Sequence, residues 1–71
     1  MEQEKTGSVK TGEILRKLRG IRTRTGVSRE LGIPYSTLNA YERGDRNPSP
    51  EIRKKISEYY GVPEENIFFH Q

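Results

Sequence analysis

Residues 23–44 of this 71-residue chain have the sequence TRTGVSRELGIPYSTLNAYERG. Gly32 lies between two apolar residues there, and a glycine can adopt the positive φ that ends a helix and redirects the chain. Pro34 follows closely, and its fixed φ suits the start of a second helix. The stretch therefore predicts helices over residues 24–31 and 35–43 that are joined by a sharp turn.

The apolar residues of this stretch are spaced so that each predicted helix has one inward face. Thr23 is of a residue type that is preferred at helix N-caps, and Val27 and Leu31 follow at i and i+4 spacing. In the second helix, Leu38 and Tyr41 fall close together at about 100° per residue and face inward. The two helices are thus expected to pack on a shared core.

The outward face of the second helix carries few charges. The residues that point away from the core, or lie on the flank of that face, are Tyr35, Ser36, Asn39, Ala40 and Arg43. Exposed helix faces usually carry Lys and Glu, whereas short polar side chains let a helix backbone approach a partner closely. Asparagine can also make a bidentate contact with adenine in the DNA major groove. This face therefore favours DNA contact, with a solvated face of low charge as the alternative.

Basic residues are concentrated in the first half of the chain. There are 13 Lys+Arg and 10 Asp+Glu, which give a formal net charge of +3. Seven basic residues and one acidic residue fall between Lys10 and Arg29, whereas three basic and four acidic residues follow from Glu51 onward. Because a solubilising surface normally mixes its signs, this asymmetry favours a domain that binds a polyanion.

Three further helices are predicted outside the opening stretch. They cover residues 12–19, 50–60 and 63–68, and their apolar residues can pack on neighbouring helices. Ile21, in the loop after the first of them, is expected to close over the core. Residues 1–10 are polar and without pattern, which predicts a disordered tail.

The five predicted helices provide the apolar residues of one small core. A chain of this length forms a single domain and buries a modest fraction of its surface. The predicted core residues are Leu15, Leu18, Val27, Leu31, Ile33, Leu38, Tyr41, Ile56, Tyr60, Val62 and Ile67.

The residue types that build catalytic and metal sites are scarce. The chain has no cysteine and a single histidine, His70, near its end. No apolar run approaches the roughly 20 residues of a membrane span, and the first residues lack the apolar stretch of a secretory signal. We therefore expect a cytoplasmic protein that is not an enzyme and has no metal, cofactor, small-molecule ligand or membrane contact.

Short motifs follow one another in a characteristic order through residues 11–68. They are Gly12-Glu13, Leu15-Arg16-Lys17-Leu18-Arg19, Leu31-Gly32-Ile33, Ser36-Thr37-Leu38, Tyr41-Glu42-Arg43-Gly44, Arg46-Asn47-Pro48-Ser49 and Gly61-Val62-Pro63. Each motif alone is common, but the ordered series resembles the phage-repressor-like (Cro/Xre-type) helix-turn-helix regulators. The resemblance implies an all-α fold: a compact five-helix, lambda-repressor-like DNA-binding domain over residues 11–69 with a central helix-turn-helix.

The resemblance also implies a function and a set of contacts. It implies a sequence-specific regulator of transcription, a repressor of bacterial or phage type, that inserts the helix over residues 35–43 into the major groove of double-stranded DNA. The expected base contacts are Tyr35, Ser36, Asn39 and Ala40. The expected phosphate contacts are Thr23, Arg24, Thr37, Arg43, Arg46 and Asn47. An ion pair between Arg19 and Glu42 is implied as well, and it would tie the first helix to the recognition helix.

The expected partners are DNA and a second copy of the chain. Members of the resembled family commonly bind palindromic operators as homodimers. The dimer contacts are expected from Tyr59, Tyr60, Phe68 and Phe69, since one small core cannot bury all of them. Two alternatives remain open: an antitoxin or excision-type DNA-binding protein with a protein partner, and a small protein-interaction module that binds no DNA.

Overall fold

The computed structural model describes residues 8–69, which fold into α-helices without any strand. In chain order these are α1 (Val9–Arg19), α2 (Arg24–Leu31), α3 (Tyr35–Arg43), α4 (Pro50–Tyr60) and α5 (Glu64–Phe68). The predicted all-α architecture with five helices is confirmed. The first seven residues of the predicted tail, and His70, lie outside the described range.

The turn between α2 and α3 has the predicted geometry. Thr23 caps α2, since its hydroxyl oxygen accepts a hydrogen bond from the Gly26 N–H at 3.0 Å. Gly32 ends α2 with φ 75°, a left-handed conformation that costs a residue with a Cβ more than it costs glycine. The Ile33 N–H then donates to the Ser28 carbonyl at 3.0 Å, which closes the turn. Both helices begin and end at the predicted residues.

Helix α1 starts earlier than the sequence predicted. The prediction placed residues 1–10 in a disordered tail, but Ser8 caps the helix and accepts a hydrogen bond from the Thr11 N–H at 3.2 Å. Thr11 is buried, and its hydroxyl donates to the carbonyl of Ile67 in α5 at 3.3 Å. The tail prediction is wrong for Val9 and Lys10, because the Ser8 cap and this tertiary contact both hold the first turn in place.

The core lies where α1, α2, α3 and α4 meet, with α5 closing one end. The fully buried apolar residues are Leu15, Val27, Leu31, Leu38, Tyr41, Ile56 and Ile67, all of which were predicted. The other predicted core residues, Leu18, Ile33, Tyr60 and Val62, are partly buried and pack against them.

Ile21 was predicted to close over the core, and this prediction is wrong. It is fully exposed, at 104% of its reference area. The short α1–α2 connection is turned by a hydrogen bond from the Arg22 N–H to the Arg19 carbonyl at 3.1 Å. That tight turn directs the Ile21 side chain into solvent and away from the core.

The packing of the helices decides what α3 presents. Helix α3 packs mainly against α1 and α2, while α4 packs against α5 and α2. Ser49 caps α4 by accepting a hydrogen bond from the Ile52 N–H at 3.3 Å, and serine is among the residue types preferred at this position. Among the described helices, none has the length and apolar character that crossing a membrane requires. One face of α3 is thus held on the scaffold, and the other is left open.

Candidate nucleic-acid interface

The open face of α3 carries the residues expected to contact bases. Tyr35 and Ser36 are exposed on the first turn, and Asn39 and Ala40 are partly exposed one turn later. Leu38, between them in sequence, is buried in the core. The structure therefore groups these four residues on one accessible side of a single helix that is anchored from behind.

The far end of α3 is anchored by a buried carboxylate. Glu42 is 0% exposed, and its carboxylate accepts hydrogen bonds from two arginines on other helices. Arg19 Nε lies 2.9 Å from Oε2 and 3.2 Å from Oε1, and Arg24 Nε lies 2.8 Å from Oε1. Arg16 donates a hydrogen bond to the backbone carbonyl of Glu42. Helix α3 is thus tied to α1 and α2 through one residue.

The burial of this cluster changes its energetic weight. An exposed ion pair contributes about 0–1 kcal/mol, but removing one partner from a buried pair costs several times more because a desolvated charge is left behind. The Arg19 side chain is 15% exposed and that of Arg24 is 33% exposed, so both guanidinium groups remain near the surface. The expected Arg19–Glu42 pair is present, with Arg24 as a second partner that the sequence did not indicate.

Arg24 has a second neighbour, which is also on α3. Hydrogen bonding to the Glu42 carboxylate raises the pKa of Arg24 above its usual value, and the Tyr35 side chain makes a smaller contribution in the same direction. The guanidinium is therefore a permanent cation at the start of the helix-turn-helix. Since a guanidinium has five N–H donors, the bond to Glu42 leaves others able to reach a phosphate.

A second group of candidate phosphate ligands follows the C-terminal end of α3. Arg43, Arg46 and Asn47 are exposed, and Arg43 Nε lies 3.3 Å from a carboxylate oxygen of Asp45 in a solvent-facing pair. The two candidate threonines lie at the helix starts. The Thr23 hydroxyl oxygen accepts the hydrogen bond that caps α2, so its O–H is not used in that bond. Thr37 is partly buried on the first turn of α3.

Two tyrosines at the end of α4 contact the α1–α2 loop and α2. The rings of Tyr59 and Tyr60 meet edge to face at 5.0 Å, and the guanidinium of Arg22 lies 5.7 and 6.0 Å from their centres. The Tyr59 hydroxyl donates to the carboxylate of Glu30. This arrangement could not be found from the sequence, because Glu30 lies 29 residues from Tyr59, Arg22 lies still farther away, and neither distance follows a local spacing.

The two phenylalanines have different neighbours. Phe69 is exposed, and the guanidinium of Arg53 lies 5.1 Å from its ring centre. Phe68 packs partly on the core, and both rings line a shallow depression beside Pro48. The four aromatic residues that were expected at a dimer contact therefore fall into two groups with separate contacts.

The described part of the chain has no cluster of three or more His, Cys, Asp or Glu side chains that could hold a metal ion. Its polar groups near α3 are arranged for hydrogen bonding and charge contact. Exposed amide, hydroxyl and guanidinium donors on and around one helix suit the base edges and phosphates of a duplex.

Comparison with other proteins gives the family. A model described as helix-turn-helix matches residues 13–67. An HTH-type transcriptional regulator of Methanocaldococcus jannaschii is 33% identical over 49 residues, which cover 69% of this chain and 74% of that protein. The transcriptional repressor RstR of the cryptic phage CTXphi, from Vibrio cholerae, is 33% identical over 52 residues. That match covers 66% of this chain and 47% of the repressor.

Solved structures show the same fold. The restriction-modification controller protein C.AhdI from Aeromonas hydrophila superposes with a TM-score of 0.74 at 27% identity, over 84% of this chain and 94% of that one. The DNA-binding domain of BldD superposes with a TM-score of 0.71 over 93% of this chain and 99% of that one. Because the two sequences are 23% identical, this match supports the fold alone. The chain belongs to the helix-turn-helix family of DNA-binding transcription regulators.

Proposed function

We propose that this protein is a sequence-specific repressor that inserts α3 into the major groove of an operator. The observation that carries the proposal is the combination of an open, nearly uncharged face on α3 with a buried anchor at Glu42. A recognition helix must be accessible to base edges and must also be held at one angle, since base contacts depend on geometry within fractions of an ångström.

Four residues of α3 are proposed to contact bases. Asn39 can pair with the N6 and N7 edge of adenine, and Ser36 can donate or accept a hydrogen bond. Tyr35 and Ala40 can lie against a thymine methyl group. The partial exposure of Asn39 and Ala40 supports this, because a side chain must reach the helix surface to contact a base edge.

The phosphate contacts are proposed on both sides of α3. Arg24 and Thr23 lie at the start of α2, whereas Arg43, Arg46 and Asn47 lie at and beyond the end of α3. Thr37, on the first turn of α3, completes the set. These contacts would fix the register of the protein on the duplex without reading its sequence.

A homodimer on a palindromic site is proposed as the bound form. One nine-residue helix reads only part of an operator, and two-fold dimers read half-sites about one helical turn apart. The exposed Phe69 ring and its depression beside Pro48 are the proposed contact, since this group is continuous with the loop that follows α3. We also propose that the protein acts in the cytoplasm of a bacterium or of a phage-infected cell.

Selection of bound duplexes from a randomised pool tests this function. We expect one enriched motif with two-fold symmetry, bound with a log–log salt slope of about −3 per protomer from the three arginines. A scrambled duplex of the same length and composition is the control, and it should bind more weakly at every salt concentration. If no duplex is enriched and none binds in a salt-dependent way, the repressor function is wrong.

A further inference from the structure

Three arginines bond to Glu42, and Arg16 is the one that bonds to its backbone. The Arg16 guanidinium donates a hydrogen bond to the Glu42 carbonyl, in the last turn of α3. The N–H groups of Gly44 and Asp45 bond to other carbonyls of α3, so no backbone donor of the described residues takes this oxygen. The last carbonyls of a helix lack partners within it and carry partial negative charge. Arg16 therefore caps the recognition helix from α1.

The charges around Glu42 do not balance, because one carboxylate faces the guanidinium groups of Arg16, Arg19 and Arg24. Arg19 is satisfied within the protein: it is 15% exposed, its Nε bonds to the carboxylate, and its Nη1 donates to the Arg22 carbonyl at 2.7 Å. Arg16 is exposed, and it forms no ion pair with any of the described residues. Its acceptor is a neutral carbonyl, so its charge is left for an anion from outside the protein.

The end of α3 that Arg16 reaches is also the end beside the second group of candidate phosphate ligands. Helix α1 lies directly against it, since a Cβ at Gly12 would overlap the Glu42 carbonyl oxygen. Arg16 follows Gly12 by four residues, so the two lie on the same face of α1, one turn apart. On α3, the exposed Arg43 comes directly after Glu42. A sugar–phosphate backbone that passes this end of α3 would meet cations from both helices.

We propose that Arg16 binds a phosphate of the DNA while it stays bonded to the Glu42 carbonyl, and so fixes the end of α3 against the sugar–phosphate backbone. This inference rests on the proposed function and deepens it, because it adds a DNA contact from α1, outside the helix-turn-helix. A guanidinium has five N–H donors in a planar fork, so one can hold the carbonyl while others take the phosphate. Such a contact positions the recognition helix without reading a base pair.

Three variants separate a phosphate contact from a cap that is only structural. R16Q removes the charge and keeps an amide that can hydrogen bond to a carbonyl. R16K keeps the charge, but an ammonium group lacks the planar fork. K17Q removes the same charge from the next residue of α1, which is also exposed. It is the matched control for the general effect of net charge on DNA binding.

The affinities of wild type and the three variants are measured at several salt concentrations, on the duplex that wild type selects and on a scrambled one. R16Q should weaken both duplexes by about 10-fold and reduce the log–log salt slope by about 1. R16K should keep the slope of wild type, and K17Q should change it by less than about half as much as R16Q. Urea unfolding without DNA shows whether the proteins compared are folded.

Ethylation interference then locates the contact on the selected duplex. Ethylating a phosphate removes its negative charge, so each phosphate that the protein contacts weakens binding when it is modified. We expect one phosphate per half-site whose ethylation weakens wild type and R16K but no longer affects R16Q. The same phosphate should remain sensitive in K17Q.

Two results would overturn the inference. One is a salt slope for R16Q that is equal to that of wild type or reduced no further than in K17Q, which would leave Arg16 as a structural cap of α3. The other is an interference pattern that is the same for R16Q and wild type. In both cases the wild type still selects a duplex, so the proposed function stands. If the wild type selects no duplex, the proposed function itself fails and this inference fails with it.

Discussion

The backbone carbonyl of Glu42 in α3 lies against the Cα of Gly12 in α1, so closely that a Cβ at residue 12 would overlap its oxygen. The contact is between two backbones, and neither can move without separating the helices. Of all the glycines in the described structure, Gly12 leaves the least room for a Cβ. The same carbonyl accepts the hydrogen bond from Arg16, so the last turn of α3 is located by both shape and charge.

The first prediction concerns this approach. Alanine at an interior helix position is normally preferred to glycine by about 1 kcal/mol. Gly12→Ala should nevertheless lower the free energy of unfolding by about 1–3 kcal/mol, because overpacking forces α1 away from α3. Urea unfolding at neutral pH measures this, with Lys17→Ala on the exposed side of α1 as the control. A Gly12→Ala protein as stable as wild type would show that the two backbones can separate freely.

The second prediction concerns the buried carboxylate. Glu42→Gln keeps the shape of the side chain but removes the charge that Arg19 and Arg24 share. We expect a loss of about 1–3 kcal/mol in the free energy of unfolding, less than for a fully buried pair because both guanidinium groups reach solvent. Asp45→Asn, which alters an exposed pair with Arg43, should cost under about 0.5 kcal/mol. Equal effects of the two substitutions would contradict the role of burial.

The third prediction separates base contacts from phosphate contacts. Asn39→Ala should weaken binding to the selected duplex by about 1–3 kcal/mol and relax the preference at one base pair. Arg43→Gln should weaken selected and scrambled duplexes by the same factor and reduce the salt slope by about 1. Fluorescence anisotropy titrations at several salt concentrations measure both quantities. The division would be wrong if both variants lost affinity equally on the two kinds of duplex.

The fourth prediction concerns Tyr60, whose hydroxyl is buried without a hydrogen-bond partner in the described structure. Burial, with a smaller contribution from the charge of Glu42, raises the pKa of Tyr60 to about 12. Below pH 10 the hydroxyl is neutral in both the folded and the unfolded protein, so it adds no pH dependence to the free energy of unfolding. Between about pH 10 and 12 only the unfolded chain releases this proton, so the free energy of unfolding falls as the pH rises.

Tyr60→Phe tests this directly. The variant should be as stable as wild type at pH 7 or more stable by up to about 1 kcal/mol, because a polar group without a partner is removed from the interior. Its stability should also fall less steeply above pH 10. Lysines titrate in the same range in both proteins, so the difference between the two urea unfolding curves isolates the tyrosine. A steeper alkaline loss in the variant would contradict the assignment.

The fifth prediction concerns self-association. Phe69→Ser should weaken a homodimer, since it removes exposed apolar area from the proposed contact beside Pro48. Sedimentation equilibrium with and without the selected duplex measures the change. Tyr59→Ser is the matched comparison at the other aromatic group, and it should leave the association unchanged. Loss of association in the tyrosine variant alone would move the dimer contact to the surface beside Arg22.

The helices were predictable where the signals are local. Thr23, Gly32 and Ser49 mark the ends of α2 and α4 by their own capping chemistry, which needs only neighbouring residues. The exposure of Ile21 was not predictable in this way, because its side chain points outward from a turn in the short connection between helices. The start of α1 does carry a local signal, the capping residue Ser8, which the prediction missed, and the bond from Thr11 to a carbonyl in α5 adds a tertiary contact there.

The residues of the candidate site were likewise predictable only where their signals are local. The composition of the outward face of α3 follows from helical periodicity, so Tyr35, Ser36 and Asn39 could be named from the sequence. The shared partner of Arg19 and Arg24 could not, because those arginines lie 23 and 18 residues from Glu42. Spacing of that kind follows no helical or turn period.

By itself, the amino-acid sequence determined which segments become helices, where most of them end and which face of each is apolar. Those properties depend on backbone preferences and side-chain spacing within a few residues. Only the tertiary structure decided that Glu42 is buried, that Arg19 and Arg24 share its carboxylate, and that the four aromatic residues form two groups. These depend on where separate helices meet, and a charged side chain is buried only where that meeting supplies its partners.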